Sequence, residues 1–179
     1  MNNYFKISEF FPNIDIIDRI KLQDRLDITD KILKWWRIMN DIRTTYNYPI
    51  QITSTWRTLE KNKRVGGSKN SQHLTFDAID FVPGKPRTLE EHNTRDKEFR
   101  NMCRSTILET NKRMHQIGQV IFYPYKYQIH IANCNGKFIE RTLFIGHADT
   151  GIHPLRANSE DKRDIEFYKQ VLCNLDLVE

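Results

Sequence analysis

The sequence predicts a single mixed α+β domain, with a small, mostly antiparallel sheet flanked by helices. Three observations carry that reading. Ile28, Ile32, Trp35, Trp36, Met39 and Ile42 fall at intervals of three and four, the stripe of a helix lying on a core. Residues 50–56 alternate apolar with polar side chains and are rich in β-branched residues, as a strand requires. The alternation returns from residue 119, and no repeat, low-complexity tract or linker divides the chain.

Composition agrees with one folded body. A chain of 179 residues matches one ordinary domain and should bury roughly 70% of its unfolded surface. Hydrophobic residues at 39% and charged residues at 28% exclude a disordered chain. A net charge of +5 favours polyanions only weakly, because basic residues are interleaved with acids, as in Arg95-Asp96-Lys97-Glu98. No basic run carries interleaved aromatics, which argues against nucleic acid as a partner. Cys103, Cys134 and Cys173 are odd in number and far apart, so they read as packed thiols in a reducing compartment. The opening Met1-Asn2-Asn3-Tyr4-Phe5-Lys6 lacks the apolar run of a signal peptide, and no stretch approaches the ~20 apolar residues of a membrane span.

In order along the chain, the helix at 28–43 buries its Trp pair as core. The strand at 50–56 follows Tyr48-Pro49 and ends on Arg57. A short polar helix at 58–64 breaks at Gly66-Gly67. Residues 71–82 become strand-like in their second half and stop at Pro83-Gly84. Residues 88–115 read as helical, with Leu89, Phe99, Met102, Ile107, Leu108 and Met114 as core candidates and the acidic Glu90-Glu91 at the positive end of the dipole. Strands follow at 119–123 and 128–132, and the Asn135-Gly136 pair predicts a tight hairpin into a strand at 137–145. A polar stretch at 146–158 leads to a last helix near 160–173. The units expected are a domain at 1–146 and an extension at 147–179.

Three side chains could bind a metal. Alternation puts His130 between Gln128 and Ala132, opposite Ile129 and Ile131. Asp80 shares a face with Ala78 and Val82, where a carboxylate needs a cation or strong donors. His73 lies an odd seven positions before Asp80, so a bend must separate them if both meet one ion. Two His and one Asp are a suitable set for catalytic zinc, which leaves its fourth position to water. Taken one at a time, each is as well explained by an ordinary structural hydrogen bond.

Ser54-Thr55-Trp56-Arg57, then Asn62, Val65-Gly66-Gly67, Ser71-Gln72-His73 and Ala78-Ile79-Asp80 resemble the ordered blocks of the zinc D-Ala-D-Ala carboxypeptidases, in particular their small phage and bacterial branch. Gln119-Val120-Ile121 and Ile129-His130-Ile131 resemble the strand pair that brings that family's third ligand, and the likeness runs over about residues 4–132. The resemblance implies the hedgehog/DD-peptidase fold, Zn²⁺ on His73, Asp80 and His130, and a peptidoglycan stem peptide as substrate. It implies that Arg57 and Ser71 hold the carboxylate or carbonyl end of the substrate, with Gln119 and Tyr123 beside it. Arg57 is equally well read, from sequence alone, as the partner of a strand-end acid.

The chain departs from the family pattern twice. Phe76 stands where the family has Gly between His and Asp, so a bulky residue must make the bend. Tyr127 stands three residues before the last ligand, where active relatives carry the acid that serves as general base. Tyr127 is thus the catalytic candidate at that place, Tyr123 and Tyr125 are further hydrogen-bond donors, and His115, His147 and His153 are the histidines that could contribute a base from elsewhere. The alternative to an enzyme is an inactive relative that serves as a structural or binding component of a phage particle, among phage structural proteins. The expected location is cytoplasmic on synthesis, followed by association with a virion or delivery to the cell wall by other factors.

Overall fold

The computed structural model describes residues 3–11, 26–85, 94–135, 137, 141–156 and 158–172. Its first long element is helix α1, Leu26–Tyr46, which extends past both ends of the stretch read from sequence. Trp35, Ile38, Met39 and Ile42 on it are wholly or almost wholly buried. The Trp35 indole also donates to the carbonyl of Phe76 at 3.0 Å, so this side chain fixes backbone as well as filling space.

Six strands make one sheet in the order β1-β2-β4-β3-β5-β6, with β1 Ile50–Ser54, β2 Ala78–Pro83, β3 Ile117–Tyr123, β4 Gln128–Asn133, β5 Thr142–His147 and β6 Gly151–Pro154. All neighbours are antiparallel except β3 and β5. The α+β class with a mostly antiparallel sheet is therefore as expected. Helix α2, Leu59–Arg64, is capped by Thr58, whose hydroxyl accepts from the Lys61 amide. Helix α3, Arg95–Asn111, and helix α4, Lys162–Leu172, complete the fold. Ile79, Phe81, Val120, Phe122, Ile129 and Ile131 are among the sheet residues that share the core with α1 and α3.

The structure corrects several local expectations. No hairpin joins β4 to β5, because β4 already has β2 on its outer edge; β5 instead crosses over and pairs with the free edge of β3. Gly136 lies outside the described residues. The polar stretch after 146 contains β6, a short, mostly exposed edge strand whose composition hides it. Residue 146, where the sequence reading divides the chain, lies inside β5. Met114 is 37% exposed because α3 ends at Asn111 before reaching it, whereas Phe99, Met102 and Ile107 are core. Leu89, Glu90, Glu91 and Cys173 lie outside the described residues; Asp96 and Glu98 supply the acidic first turn of α3. Cys103 is a buried free thiol. No described helix is long and apolar enough to cross a membrane.

Candidate metal centre

The site forms where β2 and β4 run side by side. Asp80 and His130 are direct cross-strand partners, and alternation turns both away from the packed face that holds Ile79, Phe81, Ile129 and Ile131. His130 Nδ1 lies 2.7 Å from Asp80 Oδ1. His73 comes from the 3-10 turn Gln72–Thr75 that precedes β2, and its Nε2 lies 3.2 Å from the same carboxylate oxygen. The three ligand atoms lie within 4.8 Å of one another.

The bend demanded by the odd spacing is made at Phe76, which takes a left-handed conformation at φ 62° and ψ 23°. Such a residue costs about 1–2 kcal/mol. Complete burial of its ring and the hydrogen bond from Trp35 to its carbonyl hold it there. The aromatic ring thus replaces glycine's freedom with anchorage.

Hydrogen bonds set the state of each donor. His73 Nδ1 faces the carbonyl oxygen of Thr55, which can only accept, so Nδ1 carries a proton and Nε2 is the nitrogen turned towards Asp80. Asp80 is 3% exposed. Burial alone would push its carboxyl up, but hydrogen bonds from His130 and His73 and their attraction outweigh it and hold the group well below the usual carboxylate range. Arg57 donates from Nη2 to Asp80 Oδ2 at 2.5 Å and from Nε to Ser54 Oγ at 2.9 Å. One carboxylate oxygen is thereby held by the guanidinium while the other faces both imidazoles. Arg57 does pair with an acid, as one reading of the sequence had it, and that acid is Asp80 itself.

The three groups open onto a cleft of about 1020 Å³ that Arg57, Ser71, Gln119 and Tyr123 also line. Ser71 caps the 3-10 turn, its hydroxyl accepting from the His73 amide at 3.4 Å. Gly66, at φ +69°, turns the loop above, and Gly67 lies so close to Asn62 that a Cβ there would fall 2.1 Å from Asn62 Oδ1. The buried Asn62 in turn donates to the Ser68 carbonyl at 2.8 Å, which explains why Asn62 and Gly66-Gly67 occur together. Tyr123 lies on β3 against Gly146 of β5, where an added Cβ would meet its ring at 2.5 Å. Burial, and then the charge of Asp80, push its phenol up to about 12, so it stays protonated at neutral pH.

Tyr127 is not brought to this cleft. At φ 52° it turns its ring onto Phe99, at 5.8 Å between centroids, and under Arg95, while a hydrogen bond to Asp96 raises its phenol. The ring is drawn to the other face of the sheet by core packing that a motif position does not reveal. Tyr125, His115, His147 and His153 do not line the cleft either. Three lysines that sequence reasoning missed do: Lys61, Lys126 and Lys137. Gln128 also lines it, and its place two residues before His130 on one strand face was the signal available for it. Among the described residues lining the cleft, Asp80 is the one carboxylate.

The donor set fits a divalent ion of the zinc class: two imidazoles and a buried ionised carboxylate, one imidazole with its tautomer fixed from behind. No curated protein matches the chain. A family model for peptidase M15 matches residues 15–132. That stretch contains His73, Asp80 and His130 together with Arg57, Ser71 and Tyr123, so the match and the geometry concern the same site. On that match, which spans well over half of its length, the chain belongs to the peptidase M15 family.

Proposed function

We propose that the protein is a zinc metallopeptidase that cleaves stem peptides of peptidoglycan, at a D-Ala-D-Ala or endolysin-type bond. The observation that carries this reading is the convergence of His73, Asp80 and His130 on one point of a cleft inside the family-matched stretch. When bound there, zinc supplies Lewis-acid chemistry: it polarises a peptide carbonyl and makes water acidic enough to attack at neutral pH. The remaining work falls to the chain. Arg57, Lys61, Lys126 and Lys137 give the cleft a cationic lining around one acid, which suits a peptide ending in a carboxylate. Tyr123, held as a phenol, can donate a hydrogen bond to an oxyanion, and Gln119 offers a neutral amide beside it. Arg57 also keeps Asp80 aimed at the two imidazoles.

One observation favours a second reading, in which the chain keeps the metal but serves a phage particle as a scaffold or binding component. The described lining holds no carboxylate besides Asp80, and a phenol with a pKa of about 12 does not take a proton at pH 7. Loss of a general base typically costs about 10²- to 10⁴-fold in rate. The zinc-loaded protein, incubated with purified peptidoglycan, should release D-Ala or cut stem peptides. Full metal loading with no product over long incubation would overturn the peptidase reading and favour the scaffold one.

A further inference from the structure

A second His-Asp-His cluster lies outside the family-matched stretch. His147 on β5 and His153 on β6 sit one register step apart, since His147 opposes Gly151 and His153 opposes Ile145, so strand alternation turns both to one face. Helix α4 lays Asp164 against that face. Asp164 Oδ1 lies 2.7 Å from His147 Nε2 and Oδ2 lies 3.0 Å from His153 Nδ1, with Ser159 Oγ donating to Oδ2 at 2.7 Å. Asp164 is fully buried.

The arrangement repeats the first site's chemistry. Each has one buried carboxylate between two imidazoles, with contacts of 2.7 and 3.2 Å at the first and 2.7 and 3.0 Å at the second. The imidazole centroids are 5.2 Å apart at the first and 5.5 Å at the second. Four of the chain's six histidines are spent on these two clusters. His147 also lines a cavity of about 430 Å³, which leaves an approach for an ion and room for water as a further ligand. A purely hydrogen-bonded triad would satisfy Asp164 as well, but it does not require a second imidazole beside one that opens on a cavity.

We propose that His147, His153 and Asp164 form a second divalent-metal site of the zinc class, with a structural role. It ties β5, β6 and α4 together at one point. The opposite face of the same strand pair sets Gly146 against Tyr123 and presents Ile152 to the cleft of the first site, so the second ion braces the wall on which Tyr123 rests. The proposal stands whether or not the first site catalyses.

The test uses the full chain dialysed against micromolar zinc, with bound metal counted by elemental analysis and located by anomalous diffraction at the zinc edge. Two equivalents are expected, with one anomalous peak between His147, His153 and Asp164. His147→Gln should lose one equivalent, and His73→Ala should keep one and still show a zinc-dependent rise in unfolding temperature. A wild-type crystal with no peak at the cluster overturns the proposal, whether or not any variant folds. So does a single equivalent that His73→Ala abolishes.

Discussion

Asp80 and His130 face each other across β2 and β4 with 2.7 Å between Oδ1 and Nδ1, while Arg57 takes the other oxygen of the same carboxylate. The candidate metal centre is therefore built on a cross-strand pair whose geometry belongs to the sheet. Substituting the guanidinium tests how far that pair depends on its support. Lysine cannot reach Ser54 and Asp80 together, so Arg57→Lys should weaken zinc binding by about 10- to 100-fold, the usual cost of losing a group that orients a ligand. Competition with a fluorescent chelator measures it, and unchanged affinity would assign Arg57 to substrate alone.

The two tyrosines should separate cleanly. Tyr123→Phe removes a cleft donor and, under the peptidase reading, should lower kcat by about 10²-fold with zinc content unchanged. Tyr127→Phe should leave kcat as it is, because that ring lies against Phe99 and Arg95. Steady-state assays on both variants decide between the two positions.

At Phe76 the left-handed backbone makes glycine the better small residue. Removing the buried ring costs about 3–5 kcal/mol whichever small residue replaces it. Alanine retains about 1–2 kcal/mol of backbone strain, against about 0.5–1 kcal/mol of extra chain entropy for glycine. Phe76→Gly should accordingly be more stable than Phe76→Ala by roughly 0.5–1 kcal/mol. Urea unfolding of the pair reads the difference, and the reverse order would mean that the ring, not the backbone, shapes the bend.

Acid should destabilise the metal-free protein in a defined window. Burial would raise Asp77, but hydrogen bonds from Thr75, Lys31 and Asn133 lower it, and Lys31 lies 2.9 Å away. A carboxyl lowered in the folded state contributes stability that is complete above its unfolded pKa, near 3.9, and is lost as pH falls through the folded value. Asp77→Asn should therefore be less stable than wild type at pH 6 and show a shallower loss below about pH 4. Equal slopes in chelator-treated samples would rule out Asp77 as a source of the acid sensitivity.

Gly146→Ala should disturb the cleft from its far wall. The added Cβ would fall 2.5 Å from the Tyr123 ring, an overpacking that costs about 1–3 kcal/mol. Gly66→Ala, with open space around it but φ +69°, should cost only the backbone term, about 1–2 kcal/mol. A tyrosine fluorescence or crystallographic change confined to Gly146→Ala separates the two effects.

The residues of the first site were legible because strand alternation is a local property: Asp80 and His130 could be assigned to polar faces without knowing which strands were neighbours. Their pairing was not, nor was what holds the expected bend at Phe76, since both depend on contacts with β4 and Trp35 that lie far off in sequence. The failed hairpin at Asn135-Gly136 shows the same limit. A turn dipeptide reports willingness to reverse, while the partner strand depends on which sheet edge is still unpaired. The lysines of the cleft escaped notice because each is ordinary by itself and meaningful only as a neighbour; of the second cluster, His147 and His153 stood out in the sequence, while Asp164 joins them only through the packing of α4.

The parallel pairing of β5 with β3 has a practical consequence for anyone who trims this protein to its recognisable part. Ending the chain at residue 132 would strip β3 of its outer companion and leave Val120 and Phe122 beside a long ladder of unanswered amide and carbonyl groups. Such a fragment would offer a ready template for a second copy, and its natural fate is self-association. Strands β5 and β6 act as the hem of the sheet, which keeps the fabric from fraying into its neighbours.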